Sequence, residues 1–108
     1  MGIFSFLMGP DIHKGLEQYD VLPDARLIDV RTEHEYRMGH IPGSENIPVD
    51  RIESILELTQ DREVPLFVYC RSGARSRRAA DELARMGFVS VTNLGGILAY
   101  RGTVEKSA

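Results

Sequence analysis

Two hydrophobic patterns alternate along this chain: short unbroken apolar runs, and stretches in which apolar residues recur every three or four positions. Arg26-Leu27-Ile28-Asp29-Val30 and Pro65-Leu66-Phe67-Val68-Tyr69 are of the first kind, the signature of strands buried on both faces of a parallel sheet. The second run is the more continuous and is expected at the centre of the sheet, with Pro65 where a missing N–H costs little. The helical pattern begins at Asp11, which can cap a helix through Tyr19 with Ile12, Leu16 and Tyr19 on one face. Thr32 followed by Glu35 reads as a capping box for a brief second helix, and Asp50 with Glu53 as the cap of a third carrying Ile52, Ile55, Leu56 and Leu58. A fourth is expected over residues 76–86, with Ala79, Ala80, Leu83, Ala84 and Met86 inward and Gly87 as its stop. Short strands over 45–47 and 88–93, a Gly95-Gly96 turn and a helical turn over 97–101 complete the pattern. Strands alternating with helices predict an α/β fold, its parallel sheet covered on both faces.

With 108 residues, 43% of them hydrophobic, the chain suits one domain with a core of its own. It divides into an apolar segment 1–10, a domain 11–102 and a polar tail 103–108. Thirteen Lys and Arg against sixteen Asp and Glu give a net charge of −3, which argues against a coat for nucleic acid or for an acidic membrane. The single cysteine, Cys70, excludes an internal disulfide and a zinc cluster of the usual spacing. The run Ile3-Phe4-Ser5-Phe6-Leu7-Met8 is too short for a membrane span and lacks a basic leader, so a packing role and a cytoplasmic location are expected. Gly2 resembles a myristoylation start, but Phe6 stands where that motif needs Ser or Thr.

The chemistry concentrates in Cys70-Arg71-Ser72-Gly73-Ala74-Arg75-Ser76, which joins the end of a predicted buried strand to the start of a helix. Ligands of open α/β sheets bind at such strand ends. If the loop curls round the sulfur, its amides and the positive end of the helix converge on one point, and Arg71 and Arg75 add full charges. All three effects favour thiolate, so a lowered Cys70 pKa is expected. A buried structural cysteine is the plainer reading of a lone thiol, but it does not require two arginines, a serine and a glycine in the next five positions. Arg77 and Arg78 read as solvated.

These residues resemble the rhodanese family, sulfurtransferases that carry sulfur as a cysteine persulfide. The likeness runs through Leu27-Ile28-Asp29-Val30-Arg31, Glu35-Tyr36, the stretch from Gly39-His40-Ile41-Pro42-Gly43 to Pro48, the Cys70 to Ser76 loop, and Asn93-Leu94-Gly95-Gly96. Ser44 stands where alanine is common in the family, and Tyr100 where tryptophan often follows the paired glycines. The resemblance implies a single rhodanese-like domain with a four- to five-stranded, mainly parallel sheet, the extra strand coming from about residues 3–7. It implies Cys70 as sulfur acceptor, and the amides of Arg71, Ser72, Gly73, Ala74, Arg75 and Ser76 as the cradle. A thiosulfate-like anion would be the donor and cyanide or a thiol the acceptor, with a thioredoxin-like or other sulfur-acceptor protein as a candidate partner and no metal or organic cofactor.

Asp29 and Arg31, at the end of the other buried run, read as an internal ion pair supporting the site. His40 is read as shaping a turn, and His13 and His34 as exposed. Two rival functions share the loop. A cysteine phosphatase or arsenate reductase would place five residues between Cys and Arg where this chain has Arg71, Ser72, Gly73 and Ala74. A low-turnover persulfide carrier would use the same loop as an enzyme.

Overall fold

Among residues 10–107, which the computed structural model describes, four strands pair in parallel. They are β1 (Arg26–Asp29), β2 (Glu45–Asn46), β3 (Leu66–Cys70) and β4 (Val91–Gly96), in the spatial order β2-β1-β3-β4. Three α-helices, α1 (Ile12–Asp20), α2 (Glu33–Met38) and α3 (Ala74–Arg85), and two 3₁₀ segments, Val49–Glu57 and Ile97–Ala99, surround the sheet. The strand expected near residues 3–7 and the packing role expected of the apolar segment lie outside the described residues.

Strand alternation divides the core in two. Ile28, Leu66, Val68 and Cys70 face Ala79 and Leu83 of α3 and Ile52 and Ile55 of the first 3₁₀ segment. Leu27, Phe67 and Tyr69 turn the other way, towards Ile12, with Leu16 and Tyr19 packed alongside. Every residue of β3 is buried, and each large apolar side chain so placed contributes roughly 1.5–3 kcal/mol relative to exposure. β3 is one of two interior strands, sharing the centre with β1.

The predicted helix starts hold where the cap is local. Asp11 accepts from the Lys14 amide, and the Thr32 and Glu35 side chains exchange hydrogen bonds with each other's backbone. Asp50 does not cap: Pro48 occupies the N-cap of a 3₁₀ segment kinked at Arg51, and the Asp50 carboxylate reaches Arg78 at 3.2 Å instead. α3 starts at Ala74 rather than Ser76, because Gly73 at φ 115° already turns the chain into the helix. Its buried residues are Ser76, Ala79 and Leu83, whereas Ala84 points outward. β4 begins three residues later than expected: Phe88 plugs the core below the sheet, and Gly95-Gly96 belong to the strand. A register shift between Val68 and Tyr69 accommodates Leu94, with Gly95 at φ 88°. The polar tail folds back, Glu105 bridging His40 in antiparallel sense and the Ser107 amide donating to the Arg37 carbonyl.

Candidate active site

β1 leaves the sheet through α2 towards β2 on one side, while β3 leaves through α3 towards β4 on the other. The two interior strands therefore end side by side, Asp29 in register with Tyr69, at the point where strand order reverses. In parallel α/β sheets that reversal opens a crevice above the carboxyl ends of the strands. Cys70 is the last residue of β3 and thus stands at its floor.

The Cys70 loop closes on the sulfur through main-chain geometry. The left-handed backbone of Gly73 turns its amide back to donate to Sγ at 3.0 Å, and the Ser76 hydroxyl oxygen lies 3.5 Å from Sγ. Ser76 Oγ also lies 3.0 Å from the Gly73 carbonyl and 3.3 Å from that of Gly95, acceptors that hold the side chain in place and share its single proton with the sulfur. The far wall is Gly96: a Cβ there would lie 2.6 Å from Ser72 Cα, so only glycine lets β4 back the loop this closely. The amide of Leu98 then donates to the Arg71 carbonyl at 3.2 Å.

Burial, with Cys70 only 1% exposed, pushes its thiol up, but the Ser76 hydroxyl and the amides of Ser76, Gly73 and Arg75 pull it down further, and the net shift is downward. Burial is the largest single influence and opposes the shift; among those that lower the thiol the Ser76 hydroxyl and the loop amides lead, and the charge of Arg75, which also couples to the sulfur, comes after them. Arg75 has a different engagement. Its Nη1 and Nη2 donate to the two carboxylate oxygens of Glu35 at 2.7 and 3.0 Å, a bidentate pair across the crevice. Arg71, Ser72 and Ala74 are exposed at the mouth.

Asp29, the last residue of β1, pairs with Arg31 in the loop that follows. Arg31 donates to Asp29 through Nε at 3.0 Å, through Nη2 at 2.6 Å and through its backbone amide at 2.8 Å, and Asp29 is fully buried. Nη2 also reaches the Gly39 carbonyl at 2.7 Å, and the Asn46 side chain ties the carbonyls of Asp29 and Arg31. The pair braces the crevice wall beside Cys70.

Sequence reasoning missed Glu35 as a site residue, because its capping-box spacing already accounted for it and its partner lies 40 positions away. It also missed Gly96, read as a turn. His40 is buried, stacks on Tyr36 with ring centroids 3.7 Å apart, and its Nδ1 lies 2.8 Å from the Tyr36 carbonyl. His34 is exposed, but His13 is not: it stacks on Tyr100, and its Nε2 accepts from the Arg101 amide at 3.0 Å. At the opposite, amino end of the sheet an open cleft of about 510 Å³ is lined by Tyr19, Asp24, Arg26, Glu45 and Asp61 among others, and Cys70 is not part of it. No helix among the described residues is long and apolar enough to cross a membrane.

Known proteins resemble the chain in sequence and in fold. The chain is 42% identical over 79 residues to a sulfurtransferase of Allochromatium vinosum, covering 71% of this chain and 72% of that protein. It is 37% identical over 71 residues to the thiosulfate sulfurtransferase PspE of Escherichia coli, covering 65% and 68% respectively. The solved structure of a rhodanese with anions from E. coli superposes with a TM-score of 0.71 at 32% identity, over 76% of this chain and 98% of that one. Other relatives are longer: the chain spans 64% of a Bacillus subtilis protein, YqhL, and 25% of the tRNA uridine(34) hydroxylase of Hamiltonella defensa. The model of the Rhodanese-like domain matches residues 10–103, from the residue before the first cap through the Cys70 loop and past the strand that backs it. By this match and by its fold, the chain belongs to the rhodanese-like domain family.

Proposed function

We propose that the protein moves sulfane sulfur from a small anionic donor such as thiosulfate to cyanide or a thiol, through a persulfide on Cys70. The observation that carries this reading is the Gly73 amide 3.0 Å from Sγ, on a loop whose Ser76 and Arg75 amides also favour the sulfur anion. In the first step the Cys70 thiolate attacks the outer sulfur of thiosulfate. A sulfur–sulfur bond forms to Cys70, and the bond to the sulfonate breaks with its electron pair leaving on sulfite. Cyanide then attacks the terminal sulfur, thiocyanate departs, and the thiolate returns. No proton is moved in either step, so no general base is required once the thiolate has formed.

The same amides that hold the thiolate can hold the persulfide's terminal sulfur, a larger and more diffuse anion. The recessed position of Cys70 suits donors and acceptors as small as thiosulfate and cyanide. Relatives named as thiosulfate sulfurtransferases support the choice of donor. The phosphatase rival loses ground on geometry: Arg75 is engaged by Glu35, and the buried Asp29 is locked to Arg31, so neither is free to bind an oxyanion or act as general acid. The proposed compartment is the cytoplasm, where a lone thiol stays reduced.

Intact mass of the unreduced protein before and after thiosulfate tests the reading. Gain of one sulfur atom, absent in Cys70→Ser and reversed by cyanide with release of thiocyanate, is the expected result. Gain of sulfur with slow release to every small acceptor would favour the carrier reading. No gain on a rapidly alkylated Cys70 would contradict thiosulfate as donor and favour a carrier loaded by a partner protein or the oxyanion-handling rivals.

A further inference from the structure

The crevice between the loops after β1 and β3 is crossed by an ion pair that occupies an arginine of the Cys70 loop. Glu35 receives both terminal nitrogens of Arg75, and the pair is partly buried. Glu35 is not free to turn away, because the Thr32 amide and hydroxyl donate to its Oε1 at 3.0 and 3.1 Å. A bidentate guanidinium–carboxylate pair is geometrically fixed, and each partner cancels much of the other's field a few ångströms away. Arg71 contrasts with it: it is exposed at the mouth, and none of the ion pairs among the described residues includes it. The crevice wall is balanced in the same way by Asp29 with Arg31. The two ion pairs therefore add no net charge beside the sulfur, and the loop amides and Arg71, unpaired among the described residues, are left as the main attraction for an anion.

We infer that Glu35 sets the charge preference of the Cys70 loop: by holding Arg75 it withholds that guanidinium from an incoming anionic donor, which then meets only the loop amides and Arg71. The inference rests on the sulfur-transfer reading for the identity of the donor, but the charge preference itself is open to a probe that needs no sulfur transfer. Releasing Arg75 turns a neutral pair into a free cation beside the sulfur. Anionic reagents gain from that release and neutral ones do not.

The test compares alkylation of Cys70 by iodoacetate and by iodoacetamide, nearly isosteric reagents of which only the first is charged. Their rate ratio cancels changes in thiol pKa and in access. Glu35→Gln keeps a capping-box residue at the helix start and is expected to raise the ratio about fivefold, the scale of one partly screened charge. The thiosulfate KM should fall by a similar factor while kcat changes less. Glu35→Gln combined with Arg75→Gln should bring the ratio back towards that of the wild type. Glu82→Gln, which removes an exposed carboxylate two turns along α3, controls for net charge and should leave the ratio unchanged. An unchanged or lower ratio in Glu35→Gln overturns the inference. Should that variant fail to fold, a large fall in the ratio of the double variant overturns it equally, since it would show the Arg75 charge serving anions in the wild type. Absence of any turnover with thiosulfate would strike the proposed donor and leave the alkylation result to decide the role of Glu35.

Discussion

The loops that follow β1 and β3 lie side by side at the head of the sheet and are built on opposite principles. The β1 loop is stapled by charge: Arg31 and a fully buried Asp29 satisfy each other, with Gly39 and Asn46 completing the network. The β3 loop is shaped by backbone: Gly73, Ser76 and Gly96 curl main-chain amides round one sulfur. Charged side chains make a rigid wall because they are matched among themselves. Backbone dipoles make a receptive site because they converge on an atom that carries its negative charge only when reactive. The contrast teaches that arginines near a nucleophile do not by themselves reveal what stabilises it.

The largest expected effect isolates the β3 loop. Cys70→Ser should lower thiosulfate-dependent thiocyanate formation by about a thousandfold or more, the scale of losing a covalent nucleophile, while leaving urea stability nearly intact. The reverse should hold in the β1 loop. Asp29→Ala leaves the Arg31 guanidinium buried and unpaired, and should cost about 3–5 kcal/mol in urea unfolding. A loss near that of a surface pair would show that the wall is not held by charge.

A third variant tests the backbone principle directly. Gly96→Ala puts a methyl group against Ser72 and must displace the loop. Alkylation of Cys70 at mildly acid pH should then slow severalfold, as the thiol returns towards its ordinary range. An unchanged rate would mean that the amides do not set the thiolate.

The smallest effect concerns the bridge between the loops. The Arg75 guanidinium, helped by the Thr32 amide and hydroxyl and opposed by partial burial, holds the Glu35 carboxyl at about 2 against an ordinary 4.5. A depressed carboxylate stabilises the fold above its unfolded pKa, and that contribution is lost as pH falls through the folded value. Glu35→Gln should therefore be less stable than the wild type by about 1 kcal/mol at neutral pH, a figure reduced for partial exposure. The gap should begin to narrow below pH 4.5 and close near pH 2. A gap constant across that range would place the effect in helix packing instead of the ion pair.

What the sequence could show was local. Strands β1 and β3 are apolar runs, the Thr32–Glu35 box lies within one turn, and the Cys70 loop is contiguous, so each could be read from spacing alone. The misreadings arose where tertiary contact overrode local preference. Asp50 resembled a cap, but Pro48 sets the start of that segment and Asp50 is drawn to Arg78, 28 positions away. Gly95-Gly96 resembled a turn because nothing local shows that β4 must pass close behind Ser72. Glu35 was understood through its nearest partner, and its bond to Arg75 depends on two strands ending together. His13 looks exposed in the sequence for the same reason, its partner Arg101 being 88 positions distant.

The central claim is that backbone amides and the Ser76 hydroxyl lower the Cys70 thiol against the effect of its burial. The rate of alkylation by iodoacetamide, followed from mildly acid to alkaline pH in the wild type and in Ser76→Ala, tests it most directly. The account predicts a wild-type inflection below the ordinary thiol range and a higher one once the hydroxyl is removed. An inflection at or above the ordinary range in the wild type, unmoved by Ser76→Ala, would show burial prevailing over the cradle and would contradict the account.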